Sequence, residues 1–283
     1  MNLKRIIKLE FGIPVIRSIL KRIYKEGKFY KVRLGKLKGL YFYYRRDINF
    51  HALIGLSDTE NIEALDKAIK KLGLNIRDIV IADVGANMGY YSMYFAKYFS
   101  PKSRIYAFEP SISILDVLKK NIAINHFENV KIIEAACSYG VGSVQFYISE
   151  NHHASSMINQ WENDSSSAKI ATVNTISLDG FFENEPEGQY PDLIKMDIEG
   201  AGVYALKGCE HCLAAKRPLM LIESHTGPED DAIGYVLRNF HYEALRIETN
   251  KWVLYKDRNY EDLDGVYGKM LLIPSEKMHE YKS

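Results

Sequence analysis

Cysteine is scarce in this chain: three in 283 residues, an odd number. So few thiols exclude a disulfide-stapled secreted module and point to a reducing compartment. Long apolar runs are missing as well. No segment approaches the roughly 18 to 20 consecutive apolar residues of a membrane span. Residues 1–10 alternate charged and apolar groups where a secretory leader would show an unbroken apolar stretch. No internal repeat is visible. What is present, 47% hydrophobic and 26% charged residues, is the composition of a folded chain long enough for one large or two ordinary domains.

The net charge of +1 conceals an uneven distribution. Residues 1–46 carry fourteen Lys or Arg against Glu10 and Glu26, or +12, leaving 23 basic and 34 acidic residues, or −11, for the remainder. A basic arm therefore precedes an acidic body. Within the arm Val15, Ile16, Ile19, Leu20, Ile23 and Tyr24 fall on one helical face, with Arg17, Lys21, Arg22 and Lys25 around it. Two readings follow: a helix on an anionic membrane surface, or an amphipathic helix docked on protein. Alternation over 29–44, with Gly35 and Gly39 at the turn, suggests a short hairpin. The expected division is an N-terminal extension, 1–55, and a catalytic domain, 56–283.

Beyond residue 58, strand and helix patterns alternate. Helices are expected at 59–72, 90–99, 112–125 and 229–239. Strands are expected at 79–82, 104–108, 130–135, 193–196 and 219–222, followed by C-terminal strands. That alternation predicts a parallel sheet between helical layers. It breaks between Gly142 and Leu178, where 144–148 and 170–176 read as two antiparallel strands around a polar loop. The loop offers Asn151, His152, His153, Ser155, Ser156 and Trp161 to a sugar-like ligand.

The turn after the first strand reads Asp83-Val84-Gly85-Ala86-Asn87-Met88-Gly89 and opens directly into a helix. Glycines there let backbone amides approach a ligand. The spacing lacks the middle glycine of the dinucleotide fingerprint. Glu109 closes the next strand, where a carboxylate can accept hydrogen bonds from ribose hydroxyls. Acid, glycine turn and second acid together resemble the S-adenosylmethionine pocket of class I methyltransferases; a nicotinamide cofactor would use the same ribose acid. By that resemblance Asp83, Gly85, Ala86, Asn87, Met88 and Gly89 hold the methionine half, Glu109 the ribose, and Ala136, within 134–138, flanks the adenine.

The same segments resemble the FkbM family of methyltransferases. Asp83 to Ser92, Phe108-Glu109-Pro110-Ser111 with Asn121, Leu178 to Phe182, Asp192 to Gly200 with Leu206-Lys207-Gly208, and Leu221 to His225 follow the family's order of motifs. One departure stands out: the family usually has an acid three residues beyond Glu199, where this chain has Gly202. The resemblance implies a class I (Rossmann-like) three-layer sandwich with a mostly parallel sheet and a C-terminal antiparallel strand. It also implies methyl transfer from S-adenosylmethionine to a hydroxyl oxygen, here read as one on a sugar, glycan or glycosylated small molecule.

Deprotonating an alcohol calls for a base at the carboxyl ends of the strands. Asp197 and Glu199 end one strand, Glu223 and His225 the next. His225 is the expected base, since an ordinary imidazole is neutral near pH 7, with Asp197 orienting the cofactor or the acceptor hydroxyl and Glu223 or Glu199 fixing the histidine's tautomer. No metal is expected, the alternative being a divalent ion on these four residues. Cys209 and Cys212 lack a second ligand pair and read as reduced thiols. Membrane association through 1–28, a cytoplasmic location that includes the inner membrane surface, and no nucleic-acid partner complete the expectation. Competing activities are a nicotinamide-dependent oxidoreductase and an RNA methyltransferase.

Overall fold

A computed structural model describes residues 24–45, 52–53, 57–148, 169–185, 188–253 and 268–283. The helix expected over 15–24 and the polar loop with Asn151, His152, His153, Ser155, Ser156 and Trp161 lie outside the described residues, apart from Tyr24. The chain falls into two compact units, Met1–Leu56 and Ser57–Ser283.

In the first unit, β1 (Lys28–Lys31) pairs antiparallel with β2 (Tyr41–Tyr44), Lys28 opposite Tyr44. Aromatic rings hold the ribbon together: Phe29 meets Tyr43 edge-on at 5.2 Å and Tyr24 meets Tyr30 at 4.7 Å.

The second unit is built on an eight-stranded sheet. Its strands are β3 (Val80–Val84), β4 (Arg104–Phe108), β5 (Val130–Ile133), β9 (Leu193–Met196), β10 (Leu219–Ser224), β11 (Tyr242–Arg246), β12 (Lys251–Val253) and β13 (Gly268–Pro274). The spatial order is β12-β11-β13-β10-β9-β3-β4-β5. Strands β5, β4, β3, β9 and β10 run parallel, and β13 inserts antiparallel between β10 and β11. Every residue of β3 and β9 is buried, as strands covered on both faces require. This is the class I, Rossmann-like three-layer arrangement with its antiparallel C-terminal strand.

Helices α1 (Thr59–Lys71), α2 (Tyr90–Tyr98), α3 (Ile112–Ile124), α4 (Leu178–Asn184), α5 (Gly202–Lys207), α6 (Glu210–Ala215), α7 (Gly227–Asn239) and α8 (Met278–Lys282) accompany the sheet. Helix α7 begins two residues earlier than expected because Thr226 caps it, its Oγ1 accepting the Glu229 amide at 3.3 Å, with Pro228 in the first turn. Val84, Phe108, Phe182, Met196, Ile222 and Leu272 belong to one core.

The strand expected over 130–135 ends at Ile133. The Ala135 amide turns back onto the Ile133 carbonyl (2.9 Å), and the chain leaves the ladder. It then forms β6 (Ala136–Cys137), which pairs parallel with β8 (Lys169–Ile176), itself antiparallel to β7 (Gly142–Ile148). The three make a separate small sheet, order β6-β8-β7. No helix among the described residues is long and apolar enough to cross a membrane.

Candidate active site

The chain runs outward from β3 through β4 to β5, then crosses to β9 and β10 on the other side of β3. The strand order therefore reverses between β3 and β9, and a crevice opens at their carboxyl ends. Both groups of residues singled out in the sequence meet there.

On the β3 side the glycine turn hangs from β4: the Gly85 and Ala86 amides both donate to the Phe108 carbonyl, at 3.1 and 2.9 Å. Gly85 has φ +74, and a Cβ there would stand 2.0 Å from the Asp197 carbonyl oxygen. A side chain is excluded by backbone, not by ligand. Gly89, at φ +84, would meet side-chain tips alone, that of Leu118 at 2.6 Å and that of Ile122 at 3.7 Å. Between them Asn87 adopts φ +50, its side chain accepting the Met88 amide at 2.8 Å. Asn121, buried on α3, donates to the Met88 carbonyl at 2.9 Å and pins the turn from the side.

Glu109 is buried at the tip of β4. Its two oxygens accept the amides of Asn87 (2.9 Å) and Ser111 (2.8 Å). Burial pushes this carboxyl up to about 7 against those donors. Each oxygen retains a lone pair for a hydroxyl, so the set of donors and acceptors fits a ribose. Ala136 packs with Phe146 and Val173 in the small sheet, and Glu134 is paired with Lys119 at 2.5 Å.

Beneath the turn lies a polar knot that sequence reading missed. Lys195, in the middle of β9, is 6% exposed at its side chain. Its ammonium donates to the Gly85 carbonyl at 2.8 Å, lies 3.6 Å from Asp83 Oδ1 and 3.9 Å from Asp197 Oδ2, and sits 5.2 Å from the Tyr91 ring centre. Burial works against this cation, but Asp83 and Asp197 outweigh it and raise its pKa. Asp83 also accepts the Ser92 hydroxyl at 2.6 Å. Its Oδ1 has no hydrogen bond among the described residues, and burial pushes the carboxyl up.

On the β9–β10 side, Asp197, Glu199, Glu223 and His225 converge. His225 Nε2 lies 2.9 Å from Asp197 Oδ1 and its Nδ1 3.5 Å from Glu199 Oε2. Lys269, on β13, reaches Glu223 Oε2 at 3.4 Å and Asp58 Oδ1 at 3.5 Å. Asp197 is held well below the carboxylate range: burial opposes ionisation, but Lys195 and His225 overcome it. Burial pushes Glu199 up to about 7 and Glu223 upward, the latter helped by Asp197. Burial disfavours the His225 cation, yet the hydrogen bond and charge of Asp197, then Glu199 and Glu223, hold it up at about 9. The free ring is therefore an imidazolium at pH 7, where an isolated histidine would be neutral; its neighbours, invisible in the sequence, are the reason. One donor atom each from Asp197, Glu223 and His225 lies within 4.8 Å of the others, a spacing that could chelate a divalent ion, with Lys195 and Lys269 against the outer carboxylate oxygens. Asn61, Tyr91, Lys195, Asp197, Glu223 and Lys269 line a small cleft beside the pair.

Glu229 also escaped the sequence reading, although Thr226-x-x-Glu229 has the spacing of a capping box. Its oxygens accept the amides of His225 and Gly202, each at 2.8 Å. A Cβ on Gly202 would stand 2.8 Å from Glu229 Oε1, so the space such a side chain would enter is already filled. Cys209 and Cys212 are buried free thiols, as is Cys137.

Comparison with known proteins adds an independent finding. The chain is 27% identical over 156 residues to "Methyltransferase sdnD" of Sordaria araneosa, which spans 46% of this chain and 60% of that one. It resembles the crystal structure of Methyltransferase FkbM from Methylobacillus flagellatus KT at 18% identity and TM-score 0.41, covering 56% of this chain and 37% of that one. It also resembles a putative caffeoyl-CoA O-methyltransferase from Staphylococcus aureus at 14% identity and TM-score 0.44, covering 77% and 84%. The chain thus spans 60% of the length of its curated relative. The model of the methyltransferase FkbM domain matches residues 83–260. With that span covering more than half of the 283 residues, from the glycine turn through the acid–histidine cluster, the chain belongs to the FkbM family of S-adenosylmethionine-dependent methyltransferases.

Proposed function

We propose that the chain methylates a hydroxyl oxygen on a sugar, glycan or glycosylated small molecule. When bound, S-adenosylmethionine supplies an electrophilic methyl group on a departing neutral thioether. The turn 85–89 and Glu109 hold it, with residues 134–138, Ala136 among them, beside the adenine. Asp83, expected from the sequence to touch the cofactor, is sealed beneath the turn and braces it through Lys195 and Ser92 instead. The remaining work is positioning the acceptor and managing its proton.

The observation that carries this reading is the Asp197–His225 pair, 2.9 Å apart beside the glycine turn. Asp197, the strongest acid of the four, keeps the Nε2 proton on its side of the ring and so fixes the tautomer. Nδ1 has the looser contact, 3.5 Å to Glu199: the imidazolium first gives its Nδ1 proton to the Glu199 carboxylate, and the neutral ring then takes the acceptor's proton at Nδ1. Glu199, with its pKa near 7, passes the proton it received toward solvent. Glu223 and Lys269, lining the cleft with Asn61, orient the acceptor's neighbouring hydroxyls. The charge of the arm, +12 over residues 1–46, suits an acceptor attached to an anionic lipid surface.

Labelled methyl transfer from S-adenosylmethionine into saccharide, lipid-linked glycan and RNA fractions, read by mass spectrometry, tests the assignment. Label in the saccharide fractions is expected; label in RNA alone would overturn it. Parallel calorimetric titration with S-adenosylhomocysteine and NAD should show binding of the first only. A metal-assisted reading is favoured by the spacing of Asp197, Glu223 and His225; abolition of transfer by a chelator and recovery with Mg²⁺ would establish it.

A further inference from the structure

We propose that Glu229 is a positioning residue: its buried carboxylate ties the loop carrying Asp197 and Glu199 to the loop carrying His225, and so sets the register between the acids and the imidazole. The proposal rests on reading that pair as the proton-handling group.

Glu229 stands in the first turn of α7 and is 2% exposed. A capping-box glutamate ordinarily reaches back to the amide of its own N-cap residue. Here the N-cap is Thr226, and Thr226 Oγ1 does accept the Glu229 amide, so half of the box is formed. The other half is diverted. Glu229 Oε2 passes Thr226 and takes the His225 amide at 2.8 Å, while Oε1 crosses to the Gly202 amide, also at 2.8 Å. Burial pushes the Glu229 carboxyl up, and the amides of His225 and Gly202 oppose it, with a smaller contribution from that of Gly200.

One side chain thus holds the backbone of both segments that carry the cluster. Glu199 and Gly200 have φ +50 and +93, and that left-handed turn is the part of the β9 loop most in need of an external anchor. Gly202 is required by the same arrangement, because any Cβ there would press on Oε1. Capping α7 alone needs neither the crossing to Gly202 nor the glycine that makes room for it.

The His225 ring itself supplies the readout. It is faced by Asp197 and Glu199 from the β9 loop and by Glu223 on β10, with Lys269 on β13 and Lys195 on β9 behind those acids. NMR titration of the full chain labelled with ¹⁵N-histidine, with the His225 signals assigned by their loss in His225→Gln, reports whether the ring still meets Asp197. Glu229→Asp retains the charge but is one methylene too short to span both amides. Its His225 midpoint should fall by at least about one pH unit toward the ordinary value of ~6.5, and Glu229→Ala should fall as far. The double variant Gly202→Asp/Glu229→Ala, which delivers a carboxylate from the opposite loop, should recover most of the shift. If Glu229→Asp titrates like the parent protein, Glu229 acts through charge or through helix stability alone and the proposal is overturned, whether or not Glu229→Ala folds. No acceptor is needed for this measurement. Its failure therefore leaves methyl transfer standing, whereas a lack of S-adenosylhomocysteine binding would remove the methyltransferase reading and leave this result intact.

Discussion

Replacing Lys195 by Met should destabilise the domain by about 3–5 kcal/mol, the usual cost of removing one partner from a buried ion pair. Both partners are sealed from water, with side-chain exposures of 6% for Lys195 and 0% for Asp83, so solvent screening does not discount the interaction. At 3.6 and 3.9 Å, each of the two attractions, to Asp83 and to Asp197, is on the order of 4–5 kcal/mol at an effective dielectric of ~20. The desolvation of an ammonium cancels much of their sum. What remains after truncation is Asp83 with Oδ1 lacking a hydrogen bond, and a Gly85 carbonyl without its donor. For a domain of this size the loss corresponds to about 6–20 °C in Tm.

The paired replacement Asp83→Asn/Lys195→Met removes the stranded charge and should recover a substantial part of that loss, a coupling that a double-mutant cycle reads directly. The pH dependence has a definite sign. Without Lys195 the folded-state pKa of Asp83 rises further above its unfolded value, so the folded state binds the extra proton. Both proteins lose stability as pH climbs above about 4; the variant's extra cost opens above the parent's own raised value for Asp83 and grows until the still higher value is passed. Urea unfolding followed by circular dichroism at pH 5 and pH 8 provides the measurement. A cost under about 1 kcal/mol at both pH values, or strict additivity in the cycle, would refute the reasoning.

Three further outcomes are expected. Gly85→Ala should cost about 3 kcal/mol or more and weaken S-adenosylhomocysteine binding, since its Cβ meets a backbone oxygen at 2.0 Å; Gly89→Ala, which meets a movable leucine tip, should cost about 1–2 kcal/mol, and equal losses in thermal melts would contradict this account. Glu109→Ala should lower S-adenosylhomocysteine affinity by about 10- to 100-fold in calorimetry without unfolding the domain; unchanged affinity would remove the ribose assignment. Because His225 has its pKa raised to about 9, its contribution to stability is complete below about 6.5 and is lost as pH rises through 9. His225→Gln should therefore flatten the decline in unfolding free energy between pH 6.5 and 9, and an unchanged slope would show that the ring is not held as a cation.

The sheet was largely legible because its strands obey simple rules. The apolar run at 79–82, the glycine stop after 72 and the acid at the end of 104–108 each announce themselves within a few residues. Asp83, Gly85, Glu109, Asp197 and His225 could be singled out as candidates for the same reason: each closes or follows a strand. Lys195 was not, since hydropathy reads a lysine inside a strand as an interruption, and its partner Asp83 is 112 residues away in the chain. Glu229 looked like an ordinary member of a helix start, because its meaning depends on Gly202 in another loop. The break after Ile133 was missed because a single backbone hydrogen bond from Ala135 decides it. Protonation was the least legible property: Asp197, Glu199 and Glu223 around His225 come from two strand ends, and only folding adds their charges together.

The contact between Gly85 and the Asp197 carbonyl leaves no slack between the glycine turn and the β9 loop. Lys195 reinforces that contact by holding the Gly85 carbonyl and the Asp197 carboxylate with one ammonium group. On the proposed reading, changes of acceptor are expected at cleft-lining residues such as Asn61, Glu223 and Lys269, whereas 85, 195 and 197 form one packed junction in which a change at one disturbs the others. A directed-evolution library aimed at new acceptors should yield its active clones from the outer set and almost none from the inner three.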